Sequence, residues 1–275
     1  MKISEKTIKR LEETARTIRQ DVIKMVTQAE SGHPGGSLSE TDMITALFFN
    51  VMRHKPKNPQ WEKRDRYVQS KGHSCEALYS AMARCGYFPT SELNTFRQIR
   101  SRLQGHPSRA DLPMIEASTG SLGQGLSIAI GMALGLRISD IRSRVYCMIG
   151  DGELDEGQVW EAAMSAAHYE LDNLCAIIDN NGLQIDGWNE EIMNTAPLPD
   201  KFRAFGWHVI EIDGHDMSEI LGAFHDAERM KDKPTVIIAE TMKGKGVKFM
   251  ENKVEWHGKA PTKEQAVIAL RELNG

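Results

Sequence analysis

Four short apolar runs in the second half of the chain restrict what it can fold into: VYCMIG from Val145, LCAIID from Leu174, WHVIEID from Trp207 and TVIIAE from Thr235. Runs of this length suit buried strands, and the segments between them, Val159 to Tyr169 and Met217 to Met230, carry helical spacing. Strands alternating with helices predict an α/β fold, a parallel sheet with helices on both faces. Ligand sites in such sheets lie at the carboxyl ends of the strands. Upstream, Ile8, Leu11, Ala15, Ile18, Val22, Met25 and Val26 recur at spacings of three and four, which predicts an amphipathic helix over residues 4–30. Ser31-Gly32-His33-Pro34-Gly35-Gly36 reads as a loop, with the next helix starting at Ser39 or Glu40 and reaching about Val51. DRYVQSKGHS reads as a strand and turn, and Glu76 to Cys85 as a helix. With no repeat or linker, residues 1–275 read as a single domain.

The charge balance excludes one class of function. Thirty-four basic against 38 acidic residues, a formal charge of -4, give no basic face for nucleic acid. The N-terminus is charged and lacks the apolar core of a signal peptide, and the uncharged run Ala117 to Leu136 is half Gly, Ser, Thr and Gln, so no membrane span is expected. Cys75, Cys85, Cys147 and Cys175 lie far apart, which fits a reducing cytoplasm.

Chemistry concentrates in MIGDGELDEGQVWEAA, Met148 to Ala163, where an apolar run hands over to a helix through Gly-Asp-Gly. A dinucleotide fingerprint fails because Asp155 stands where the third glycine belongs, and a P-loop fails because Gly157 is followed by Gln158 and Val159. In the third template the aspartate holds a metal. One strand later AIIDNNGLQIDG brings Asn180 and Asn181 to the adjacent strand end, so Asp151 and an Asn side chain can converge on a hard cation such as Mg²⁺, which in turn holds a diphosphate. The helix beginning near Glu156 adds donors and a favourable dipole.

Gly-Asp-Gly followed by Asn-Asn resembles the thiamin diphosphate motif, and its flanks resemble transketolase. So do SGHPGGSLS, SKGHS, GHPS, TGSLGQGL, KGKG and WHGKAP, in the order that family shows them, from about residue 10 to about residue 260. The resemblance implies a thiamin diphosphate-binding fold with thiamin diphosphate and Mg²⁺ as cofactors. It makes Asp151, Asn181 and the Leu183 carbonyl the metal ligands. It places His73, Gly120, Leu122, Gly152, Asn181 and His257 against the cofactor, with Gln124 contributing backbone beside Gly120 and Leu122. Ser121 stands where many relatives have proline, and no loss is expected from it. His33, His106 and His257 meet the substrate near the reacting carbonyl and assist proton transfers, and Glu156 either meets an activating glutamate across a subunit interface or is simply a first-turn glutamate. His54, His168, His208 and His225 read as structural, His215 stays open, and Lys243, Lys245 and Lys248 read as a solvated loop rather than a phosphate clamp.

The implied reaction is transfer of a two-carbon ketol unit from a ketose phosphate to an aldose phosphate, a cytoplasmic reaction of pentose phosphate chemistry. The chain is expected to lack the pyrimidine-binding and C-terminal domains of that family, and so resembles the N-terminal subunit of a split transketolase, or a fragment. It is expected to be inactive alone and to pair with a C-terminal transketolase subunit in an α2β2 heterotetramer. A subunit of an oxidative decarboxylase and a non-catalytic assembly subunit are the alternatives. Residues 182–194 and 243–258, rich in Gly and polar residues, are expected to be mobile until cofactor binds.

Overall fold

A computed structural model describes residues 3–275. The first helix, α1 (Glu5–Ala29), is capped by the Ser4 side chain and buries the predicted stripe of Leu11, Ile18, Val22 and Val26. Here the chain departs from the sequence reading. Instead of a loop up to Ser39, α2 (Pro34–Ser39) begins five residues early and runs on through α3 (Thr41–Ala46) into a π-helical turn, Leu47–Val51. Pro34 occupies the first helical position, where its missing N–H is not needed, and so starts this helix rather than breaking it.

The core elements follow as β1 (Arg66–Gln69), α4 (Cys75–Cys85), α5 (Gln124–Ile138), β2 (Val145–Gly150), α6 (Gly157–His168), β3 (Leu174–Asn180), α7 (Asn189–Ile192), α8 (Leu198–Ala204), β4 (His208–Asp213), α9 (Met217–Arg229), β5 (Thr235–Glu240) and α10 (Lys263–Asn274). All strand pairs are parallel, in the order β1-β2-β3-β5-β4.

Successive strand residues face opposite sides, and two separate apolar clusters result. Tyr146 and Met148 of β2 join Cys175, Ile177 and Ile237 under α1, α3, α4 and α9, whereas Val145, Cys147 and Ile149 join Leu174, Ala176, Ile178 and Ile238 under α5, α6 and α8. The α/β fold with helices on both faces is therefore present. Its consequence is that Lys71, Asp151, Asn181 and Lys243, each just beyond β1, β2, β3 or β5, share one end of the sheet. Among the described residues no helix is long and apolar enough to cross a membrane, and all four cysteines are free.

Candidate active site at the carboxyl ends of the strands

A cavity of about 280 Å³ opens at that end, and His33, His73, Gly120, Leu122, Asp151, Gly152, Asn181, Leu183 and His257 all line it. Asp151 and Asn181 are both buried at the strand ends. Asp151 accepts the main-chain N–H of Gly152 at 2.9 Å and of Gly182 at 2.5 Å. Burial, and then the charge of Asp179, raise its pKa to about 6. Asn181 Nδ2 donates to Asp179 Oδ2 at 3.1 Å while its Oδ1 accepts the Leu183 N–H at 3.1 Å, so the amide is oriented from both sides.

Lys243 overturns the solvated-loop reading. It is buried, lines the cavity, and donates from Nζ to the Leu183 carbonyl at 2.7 Å and to His257 Nδ1 at 3.0 Å. A cation thus already stands on one member of the oxygen set, and burial lowers its pKa to about 8. Among the described residues no three His, Cys, Asp or Glu side chains are placed to hold a metal. Any ion bound here would take one carboxylate, one amide oxygen and one carbonyl oxygen, a hard set that suits Mg²⁺ with open positions for phosphate and water. The residues present fit that ion. Lys245 is half-buried and Lys248 exposed, and neither lines the cavity.

Three histidines form one wall. The rings of His33 and His73 lie 5.1 Å apart, His73 and His257 5.1 Å, and His33 and His257 5.6 Å. Burial keeps all three neutral, with pKa values of about 4 for His33, about 2 for His73 and about 3 for His257, helped by the positive charges of Arg97, Lys71 and Lys243 respectively. Neutral rings can each donate one hydrogen bond and accept another. His106 is exposed and does not line the cavity. It flanks Gly120 at the rim, where an added Cβ would come within 3.2 Å of His106 Cδ2.

The floor of the cavity was not legible in the sequence. Lys71 donates to Asp179 Oδ2 at 2.6 Å and to the Gly36 carbonyl at 3.0 Å, and its ammonium pairs with Glu40 at 2.9 Å. All three side chains are buried. Burial pushes the Glu40 pKa up, whereas Lys71 holds Asp179 below the ordinary carboxylate value against the same burial, so Asp179 is the firmer partner of the Lys71 ammonium. Glu153, also buried, receives Ser70 Oγ and the N–H groups of Gly123 and Gly150, tying together SKGHS, TGSLGQG and GDG. The signal for it was a glutamate inside the motif itself.

Other expectations need correction or find a structural role. A 3-10 turn, Gly152–Asp155, separates the motif from α6, and neither Gly157 nor Glu156 lines the cavity, so no α6 amide is presented to a bound diphosphate. Glu156 is exposed, and its side chain makes no hydrogen bond among the described residues. The Gln124 side chain pairs with Gln158 and Ser121 is exposed. His215 bridges Asp42 at 2.7 Å and the Met242 N–H at 2.9 Å, and His54 bridges Tyr87 and the Phe48 carbonyl, which are packing roles. Residues 243–258 are anchored by buried Val247, Met250 and Trp256, against the expectation of a segment with little apolar surface. In residues 182–194, by contrast, Ile185, Trp188, Ile192 and Met193 are exposed.

Comparison with known proteins accounts for this arrangement. Residues 10–275 match the family described as transketolase, thiamine diphosphate binding domain. The chain is 45% identical over 263 residues to the 6-deoxy-6-sulfo-D-fructose transketolase subunit SqwG of a Clostridium species, covering 96% of each. It is 43% identical over 256 residues to one of the subunits of the apulose-4-phosphate transketolase of Phocaeicola vulgatus, covering 93% of this chain and 91% of that protein. The solved transketolase of Campylobacter jejuni superposes with a TM-score of 0.91 at 35% identity, covering 100% of this chain and 43% of that one, so the chain spans less than half of the solved enzyme. By motif, fold and relatives alike, the chain belongs to the transketolase family and is built as its thiamin diphosphate-binding domain.

Proposed function

We propose that the chain is the diphosphate- and Mg²⁺-binding subunit of a transketolase divided between two polypeptides, acting as one domain. The observation that carries this reading is the match in length. The chain covers almost all of relatives named as transketolase subunits but under half of a single-chain transketolase. Asp151, Asn181 and the Leu183 carbonyl hold Mg²⁺, and Gly152, His73 and His257 face the diphosphate. Gly120 and Leu122 line the side toward the pyrimidine. When bound, thiamin diphosphate supplies the electron sink for breaking a carbon–carbon bond.

The chain's own contribution is placement and a dry, preset wall. Neutral His33 and His257 meet ligand oxygens inside the cavity, and His106 meets them at its rim. Glu156, exposed at the start of α6, is available to a second subunit that completes the site. We place the pair in the cytoplasm as an α2β2 assembly acting on sugar phosphates. The test is ketol transfer with saturating thiamin diphosphate and Mg²⁺. The chain alone should turn over poorly and a C-terminal transketolase subunit should restore the rate, whereas full turnover by the chain alone would refute the divided enzyme.

A further inference from the structure

We propose that Arg97 is a positioning residue for His33: it holds Nδ1 of that ring as an acceptor and so makes the ring present Nε2–H to the cavity. Arg97 follows the 3-10 turn Thr90–Thr95 and stands behind the cavity wall without lining it. Its Nη2 lies 3.1 Å from His33 Nδ1 and 3.3 Å from the Gly105 carbonyl, and its Nη1 lies 3.0 Å from Ser31 Oγ. A guanidinium carries five donors and no acceptor. The nitrogen facing it must therefore be the unprotonated one, and in a neutral imidazole the single proton then resides on the other nitrogen. The ring is neutral at physiological pH, since burial and the Arg97 charge hold its pKa near 4.

The surroundings of Arg97 are shaped for this contact. Its backbone is left-handed at φ 56°, closed by its N–H on the Leu103 carbonyl at 2.9 Å. A non-glycine residue keeps that conformation only where neighbours over-determine it. Gly105 makes room for the guanidinium, because a Cβ there would come within 2.8 Å of Arg97 Cζ. The main chain of His33 is held independently by Glu76, whose Oε1 accepts its N–H at 2.8 Å. Ring and backbone are thus both fixed from outside the cavity. As an Nε2–H donor, His33 can support a carbonyl or hydroxyl oxygen of a ligand, and because that nitrogen already carries the ring's proton it has no lone pair with which to act as a base toward the cavity. This functional meaning rests on the proposed cofactor site, whereas the tautomer itself does not.

The test is a two-bond ¹H–¹⁵N correlation spectrum of the full chain labelled with ¹⁵N-histidine, recorded at neutral pH, with His33 assigned by its loss in His33→Gln. The expected pattern is an unprotonated Nδ1 and a protonated Nε2. Arg97→Met should shift both nitrogens toward a tautomeric mixture, and Arg97→Lys, which keeps a cationic donor, should preserve the wild-type pattern. A wild-type His33 protonated at Nδ1 overturns the inference, as does an Arg97→Met spectrum identical to wild type. Titrating the same wild-type sample with thiamin diphosphate and Mg²⁺ separates the two ideas, because absence of binding would count against the cofactor site and leave the tautomer result standing.

Discussion

Replacing Lys71 with methionine tests the floor of the site. The substitution keeps most of the side-chain volume and deletes an ammonium that is 2.6 Å from Asp179 and 2.9 Å from Glu40, with the side chains of all three 3% exposed or less. Burial alone would raise the Asp179 pKa, yet Lys71 holds it below the ordinary carboxylate value. Without Lys71, Asp179 is a buried, unpaired charge or must take up a proton. Breaking a buried pair by removing one partner costs about 3–5 kcal/mol. For a chain of this size that corresponds to a fall in Tm of roughly 6–20 °C. Lys71→Met/Asp179→Asn removes the orphaned carboxylate and should recover about half of the loss, on the order of 2 kcal/mol. Because Asp179 also orients the Asn181 amide, both variants should weaken Mg²⁺ binding. Urea denaturation at neutral pH measures the energies. A loss under about 1 kcal/mol for Lys71→Met, or a double variant no more stable than the single one, would refute the reasoning.

Three further outcomes are expected. Asp151→Ala and Asn181→Ala should each abolish Mg²⁺-dependent cofactor binding in calorimetry, and Asp151→Ala should also cost about 1–3 kcal/mol in a urea melt, because the Gly152 and Gly182 amides lose their acceptor. The pKa of His73 is depressed to about 2, so below the ordinary value of 6.5 the unfolded chain binds a proton that the native chain does not, and stability falls with pH. Moving from pH 7.5 to 5.5 should cost about 1.4 kcal/mol through this ring, and the loss should shrink by that amount in His73→Gln. Hydrogen exchange should show cofactor-dependent protection in residues 182–194, whose apolar side chains are exposed, but little change in residues 243–258, which Val247, Met250 and Trp256 anchor; equal responses from the two segments would contradict this.

The sequence was most legible where local signals were strong. The four apolar runs became four of the five parallel strands, and the glycine-rich motifs named most of the residues that line one cavity. It was least legible where a residue's environment is set by distant partners. Lys243 reads as solvated among polar neighbours, and only the meeting of the β3 and β5 ends buries it against Leu183 and His257. Glu153 and Glu156 are indistinguishable in composition. The 3-10 turn after Asp151 points the first into the core and leaves the second in solvent. Pro34 misled for a different reason, since the same residue ends a helix in its interior and opens one at its first position.

The central claim, that this cavity holds thiamin diphosphate through Mg²⁺, is tested most directly by calorimetric titration of the purified chain with thiamin diphosphate, with and without Mg²⁺. The account predicts saturable binding near one cofactor per chain that disappears when Mg²⁺ is chelated. Binding of equal strength without the metal, or none in its presence, would contradict it.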